Sequence, residues 1–83
     1  MARDLEFIWD LEDDPNGNVQ HIAEHDLTID EVEDVMLNPE TTGTSRSSYK
    51  PVVWGYTATG RYIIVVYEEI DVDVVCVITA YEV

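Results

Sequence analysis

PVVWGYTATGRYIIVVYEEIDVDVVCVITAYEV, Pro51 to Val83, is the stretch on which the fold turns. It holds three runs dense in β-branched and aromatic residues, PVVWGYT, RYIIVVYEE and DVVCVITAY. Only Ala58-Thr59-Gly60 and Ile70-Asp71-Val72 separate them, so the segment reads as an antiparallel meander of at least three strands. YIIVVY and VVCVI lack polar alternation, which predicts central strands covered on both faces, with helices on one of them.

Upstream of the meander, LTIDEVEDVML carries a helix start: Thr28 caps the first turn, Glu31 reaches back to it, and Leu27 can staple onto Val32. Ile29, Val32, Val35 and Met36 form its apolar stripe, Asn38-Pro39 ends it near Leu37, and Glu33 and Asp34 point to solvent. A shorter helix over 18–25 has Val19, Ile22 and Ala23 at helical spacing. Before it, DLEFIWDL alternates with period two, setting Leu5, Phe7, Trp9 and Leu11 on one side of a strand. EDDPNGN between the two has turn chemistry. The expected fold class is α+β: an N-terminal strand and two helices packed on a C-terminal antiparallel sheet, as one domain over 1–83. Leu5, Trp9, Ile22, Val32, Met36, Ile64, Val66, Cys76 and Ile78 are its expected core.

Eighty-three residues with 46% apolar content support one core. The lone Cys76 cannot form an internal disulfide and reads as a small buried hydrophobe in a reducing compartment. MARDLEFIWD has acids where a signal peptide needs a basic head, and the longest apolar run is too short to span a membrane, so a cytoplasmic location is expected. The formal net charge is −14, from 18 acids against 4 bases. That field disfavours nucleic acid and favours cationic partners, besides keeping a small protein soluble. No acid lies between 41 and 67, a window that holds Arg46, Lys50 and Arg61. These three are expected to cluster beside an exposed Trp54 or Tyr56 as an anion-binding or RNA-binding patch.

Several residues occur in an order that resembles the BrnT-like toxins of the wider RelE-like group of ribonuclease toxins. Phe7, Trp9 and Asp10 match that family's F-x-W-D strand. NVQHIAEHDLTIDEV, with Asn18 and His25, matches its Asn…His helix and the capped helix that follows. Asn38-Pro39, GYTATGR from Gly55 to Arg61, and Ile78-Thr79-Ala80 match its break, its hairpin and its closing strand. The resemblance covers nearly the whole chain and implies a RelE/BrnT-like fold and a metal-independent endoribonuclease of the mRNA-interferase type. It also implies a toxin–antitoxin pair in which a basic antitoxin-like protein masks the toxin. The chain departs from the family in three places. The loop after Trp9 is long, Ala23-Glu24 stand where the family tends to be basic, and Tyr81-Glu82-Val83 replace an arginine-rich end that handles RNA.

Metal-free RNA cleavage needs a base for the 2′-hydroxyl, an acid for the leaving oxygen and cations for the phosphorane charge. Candidates are His25, which titrates near neutrality, Tyr81, and Arg61, which matches the family's hairpin arginine; Arg46 is a further phosphate clamp. Tyr67 and Tyr81 are also candidate stacking platforms. Each has a plainer reading: a surface arginine, core tyrosines, a histidine facing a helix dipole. His21 and His25 stand four apart, but no third ligand accompanies them, and neither metal nor cofactor is expected. TSRSSYK lacks the glycines of a phosphate loop. Two functions fit these residues: a weakened or inactive toxin-family ribonuclease, or a non-catalytic acidic protein-binding module on the same scaffold. Self-association through a sheet edge is compatible with both.

Overall fold

A computed structural model describes residues 4–83. Its elements are β1 (Glu6–Ile8), α1 (Asn18–Glu24), α2 (Ile29–Leu37), β2 (Thr41–Thr44), β3 (Pro51–Tyr56), β4 (Tyr62–Asp71) and β5 (Val74–Glu82). The expected meander is β3, β4 and β5, and the domain is α+β. The sheet has five strands in the order β1-β5-β4-β3-β2. β1 runs parallel to β5, Glu6 opposite Val74 and Ile8 opposite Cys76, and the remaining pairs are antiparallel.

The core lies between the helices and one sheet face. Ile22, Val32, Val35 and Met36 from the helices meet Val53, Ile63, Val65, Tyr67, Val75, Val77 and Ala80 from the strands. Val77 and Ala80 are three residues apart yet both face the helices, because the β4–β5 register shifts between Val66 and Tyr67. A bulge adds one residue to one strand and so changes which side chains point inward. Gly55 allows the close approach of α2: a Cβ there would stand 3.1 Å from Val35 Cγ1.

The opposite face departs from the expectation of full cover. It carries a smaller cluster of Val52, Ile64 and Val66, with Trp54 and Ile78 packed against it, and neither α1 nor α2 contributes to it. Trp54 reaches over Gly43 on β2, its ring 3.0 Å from where a Cβ would be. An aromatic lying on a strand glycine supplies the cover that the glycine lacks.

Two local expectations are corrected, and one strand was not expected. β1 is only three residues long; Leu5, Phe7 and Trp9 pack on the core, but Leu11 is 75% exposed. Strand pairing with β5 ends at Ile8, after which the chain turns away. Ala23 is exposed, so the buried face of α1 is narrower than the i, i+3, i+4 pattern implies. β2, TTGT, was invisible to hydrophobic patterning because all four residues are exposed and it pairs with β3 at the edge of the sheet.

Two terminal motifs join the helices. Thr28 Oγ1 accepts from Glu31 N, and Glu31 Oε1 accepts from Thr28 N, which completes the expected capping box. α1 ends in a Schellman arrangement, Leu27 N–H donating to Ile22 O and Asp26 N–H to Ala23 O. Asp26 takes the left-handed position with φ 59°, where glycine is the unstrained residue. Asp26→Gly therefore relieves a steric penalty and removes an acid from the negative end of a helix. After the extra chain entropy of glycine, the variant should gain about 0.5–1 kcal/mol in urea denaturation. An unchanged or lower midpoint would contradict it.

Candidate functional site

The β3–β4 hairpin turns through Thr57-Ala58-Thr59-Gly60. Thr57 N–H donates to Arg61 O, Thr57 Oγ1 accepts from Arg61 N, and Gly60 takes φ 87°. This tightly bonded turn holds the Arg61 backbone beside the end of α1. The Arg61 side chain then gathers three segments: the end of α1, α2 and β5. Its Nη1 and Nη2 donate to the Asp26 and His25 carbonyls, at 2.6 and 3.2 Å. Its Nε donates to Glu82 Oε1 at 3.2 Å, and Nη1 lies 3.9 Å from Glu31 Oε2. Glu31 thus serves α2's cap with one oxygen and faces Arg61 with the other.

His25 and Tyr81 complete this corner of the molecule. Their ring centroids are 5.8 Å apart, tilted at 50°, and both residues are exposed. Tyr81 stands opposite Ile64 on β4, one residue before the Glu82 that holds Arg61. His25, Arg61 and Tyr81, chosen from three distant parts of the sequence, therefore meet at one place. Arg61 however spends its donors on the orphan carbonyls at the end of α1 and on two carboxylates. Arg61, Glu31 and Glu82 sum to a charge of −1, the wrong sign for holding phosphate.

Arg46, Lys50 and Trp54 do not join that corner. Lys50 precedes β3 and Arg61 follows its hairpin turn, so the two cations lie at opposite ends of a six-residue strand, on the order of 20 Å apart. Lys50 Nζ is 3.7 Å from Glu68 Oε2. Arg46 is exposed in the β2–β3 turn, and Trp54 is half-buried against the outer-face cluster. The acid-free window is a feature of the sequence that folding disperses, because strands adjacent in space bring Glu68 and Glu82 beside its cations. Arg3 lies outside the described residues.

Other expectations are resolved by burial. Tyr67 is 8% exposed in the main core and offers no stacking platform. Glu33 is not simply solvated: its Oε2 accepts from Trp9 Nε1 at 2.8 Å, tying α2 to the segment after β1. Among the described residues no group of three His, Cys, Asp or Glu side chains could hold a metal ion.

Sequence reasoning missed the part Asn18 plays inside the fold. It is 4% exposed, donates through Nδ2 to Ile8 O and Val77 O, and exchanges hydrogen bonds with Asp10, Asp10 N–H to Oδ1 and Asn18 N–H to Asp10 Oδ2. It plugs the gap where β1 leaves β5. Gly17 beside it has no room for a side chain, since a Cβ would come within 2.7 Å of Asp10 Cβ. An Asn-Gly-Asn turn followed by an apolar helix was the available signal.

Cys76 lies on the outer side, paired opposite Glu68. Burial, then the Asp10 and Glu68 carboxylates, push its thiol above the ordinary 9.0, so it is a poor nucleophile at neutral pH. Half-buried Tyr62 is likewise raised from 10.0, by desolvation and then by Glu40, which accepts its hydroxyl. A raised folded-state value means the folded chain holds the proton more tightly than the unfolded one. The associated stability is complete below pH 9.0 and declines as pH rises through the folded value. Urea midpoints should therefore fall in alkali, and Cys76→Ala should flatten the earlier part of that fall; an identical slope in the variant would exclude Cys76 as a contributor.

A groove of about 290 Å³ lies between the helices. Val19, Ile22, Ala23 and Ile29 give it apolar walls, and Glu12 and Asp30 stand at its margin. The loop that brings Glu12 there is held by Gln20, whose side chain donates to the Glu12 carbonyl.

Comparison with protein-family models, curated proteins and solved structures finds no match to this chain.

Proposed function

We propose that this domain is a non-catalytic acidic module that binds a basic protein, built on a scaffold like that of the BrnT/RelE-type toxins. The observation that carries it is the engagement of Arg61. A ribonuclease of the expected type needs a cation aimed at developing phosphorane charge, and this guanidinium closes a helix and pairs with Glu31 and Glu82. The net charge of −14 and the apolar groove edged by Glu12 and Asp30 support an apolar side chain flanked by Lys or Arg as what the partner presents. The convergence of His25, Tyr81 and Arg61 supports a second reading, a weakened ribonuclease of a toxin–antitoxin pair.

The two readings separate on Arg61. As a fixture of the fold, Arg61→Ala should cost about 1–2 kcal/mol of stability, discounted because the side chain is 24% exposed. It should leave no change in RNA processing. The test incubates a long RNA with the wild type, Arg61→Ala and His25→Ala, and titrates a Lys-rich amphipathic peptide into the wild type and Asp30→Lys. No cleavage, with peptide binding that weakens in Asp30→Lys and at high salt, supports the binding module. Robust cleavage abolished by both single variants would establish the ribonuclease reading instead.

A further inference from the structure

The two edges of the sheet are unlike. β1 is three residues long, begins with Glu6 and is bracketed by Asp4 and Asp10, the kind of charged, short edge that discourages further pairing. β2 is uncharged, fully exposed and opens the sequence window 41–67, which holds no acid. In an antiparallel ladder, hydrogen-bonded and non-bonded residue pairs alternate. Ser45 N–H donates to Lys50 O, so the pairs Gly43–Val52 and Thr41–Trp54 are bonded ones. Pro51, which has no N–H, falls opposite Thr44 at a non-bonded pair. The N–H and C=O groups of Thr42 and Thr44 therefore point away from β3, along the open edge.

We propose that this edge pairs with a second copy of the chain, antiparallel and centred on Gly43. A two-fold axis perpendicular to a sheet must relate equivalent pairs, so one residue has to face its own counterpart. With Gly43 facing Gly43, Thr42 of each copy exchanges both hydrogen bonds with Thr44 of the other, which satisfies every outward group of β2. The same register brings the turn just past β2, with Arg46 exposed on it, toward Glu40 just before β2 of the other copy. The contact is thus complementary in charge to itself, although the two chains each carry −14. Glu40 already accepts from the Tyr62 hydroxyl at 3.3 Å, which holds it at this end of β2. The Trp54 rings, each lying over its own Gly43, come to the two sides of the axis and extend the outer-face cluster across it. The sheet becomes continuous over ten strands.

Sedimentation of the full chain over a concentration series should show a reversible monomer–dimer equilibrium. Thr42→Pro removes one outward donor per copy, two in the dimer, without removing a ladder bond to β3. It should weaken the dimer by about thirtyfold. Arg46→Glu should weaken it too, and Glu40→Arg/Arg46→Glu, which restores the net charge of −14, should recover it. The swap pair keeps the test informative if Thr42→Pro disturbs the fold. A chain that stays monomeric throughout, a dimer indifferent to Thr42→Pro in its folded form, or a double variant no tighter than Arg46→Glu overturns the proposal.

Discussion

Asn18→Leu should destabilise the domain by about 3–5 kcal/mol, the largest single-residue effect expected outside the apolar core. The side chain is close in size to leucine, so the loss is not one of volume. It leaves the Ile8 and Val77 carbonyls and the Asp10 N–H without their partner in a site that water reaches poorly. Each orphaned buried group costs about 1–3 kcal/mol, and the domain as a whole holds only some 4–12. Asn18→Asp separates the donor role from the acceptor role. The carboxylate can still accept from Asp10 N–H but cannot donate to either carbonyl, and it adds a charge beside Asp10. It should be as damaging as leucine at neutral pH and recover in part on acidification. Chemical denaturation of the three proteins would decide; a cost below about 1 kcal/mol for both variants would mean the β1–β5 junction tolerates solvent.

Ile63→Ala should cost about 3–4 kcal/mol, and Ile64→Ala about half that. The two residues are neighbours on β4 and face opposite ways. Ile63 is fully buried among the helices, whereas Ile64, 9% exposed, lies under Trp54 on the face opposite the helices. A cavity at Ile63 is walled by α2 and the neighbouring strands and cannot collapse cheaply. One at Ile64 can be refilled by movement of Trp54. Equal losses would show that the outer face is packed as tightly as the inner one. If Gly43 pairing joins two chains, the Ile64→Ala loss should grow at concentrations where the dimer forms, because the outer cluster then continues into the second copy.

Much of the fold is written in local chemistry. The capping box of Thr28 and Glu31, the stripe of Val32, Val35 and Met36 and the three β-branched runs each involve residues within one or two turns of each other. Periodicity and turn residues therefore suffice for α1, α2, β3, β4 and β5. β2 escapes because an exposed edge strand has no face to bury and hence no pattern. The parallel pairing of β1 with β5 escapes too, since it joins residues at opposite ends of the chain.

The candidate site divides along the same line. His25, Arg61 and Tyr81 were singled out by residue type and by the resemblance to the BrnT-like toxins, and nothing in their local sequence sets them beside one another. What those residues do depends on who stands beside them. A positive charge is a phosphate clamp or a helix fixture according to whether carboxylates and carbonyls occupy its donors, and for Arg61 those groups come from positions 21 to 36 residues away. The sequence by itself determined the α+β class, the helix ends, which runs are strands and the net charge, because these follow from neighbours along the chain; it did not choose the strand face, since the expected Ile64, Val66 and Ile78 belong to the outer cluster while Ile63, Val65, Val75 and Val77 meet the helices. Tertiary structure alone decided the burial of Asn18, the pairing of Lys50 with Glu68 and of Arg61 with Glu82, and the open edge at β2, because each rests on distances between segments that only the folded sheet brings together.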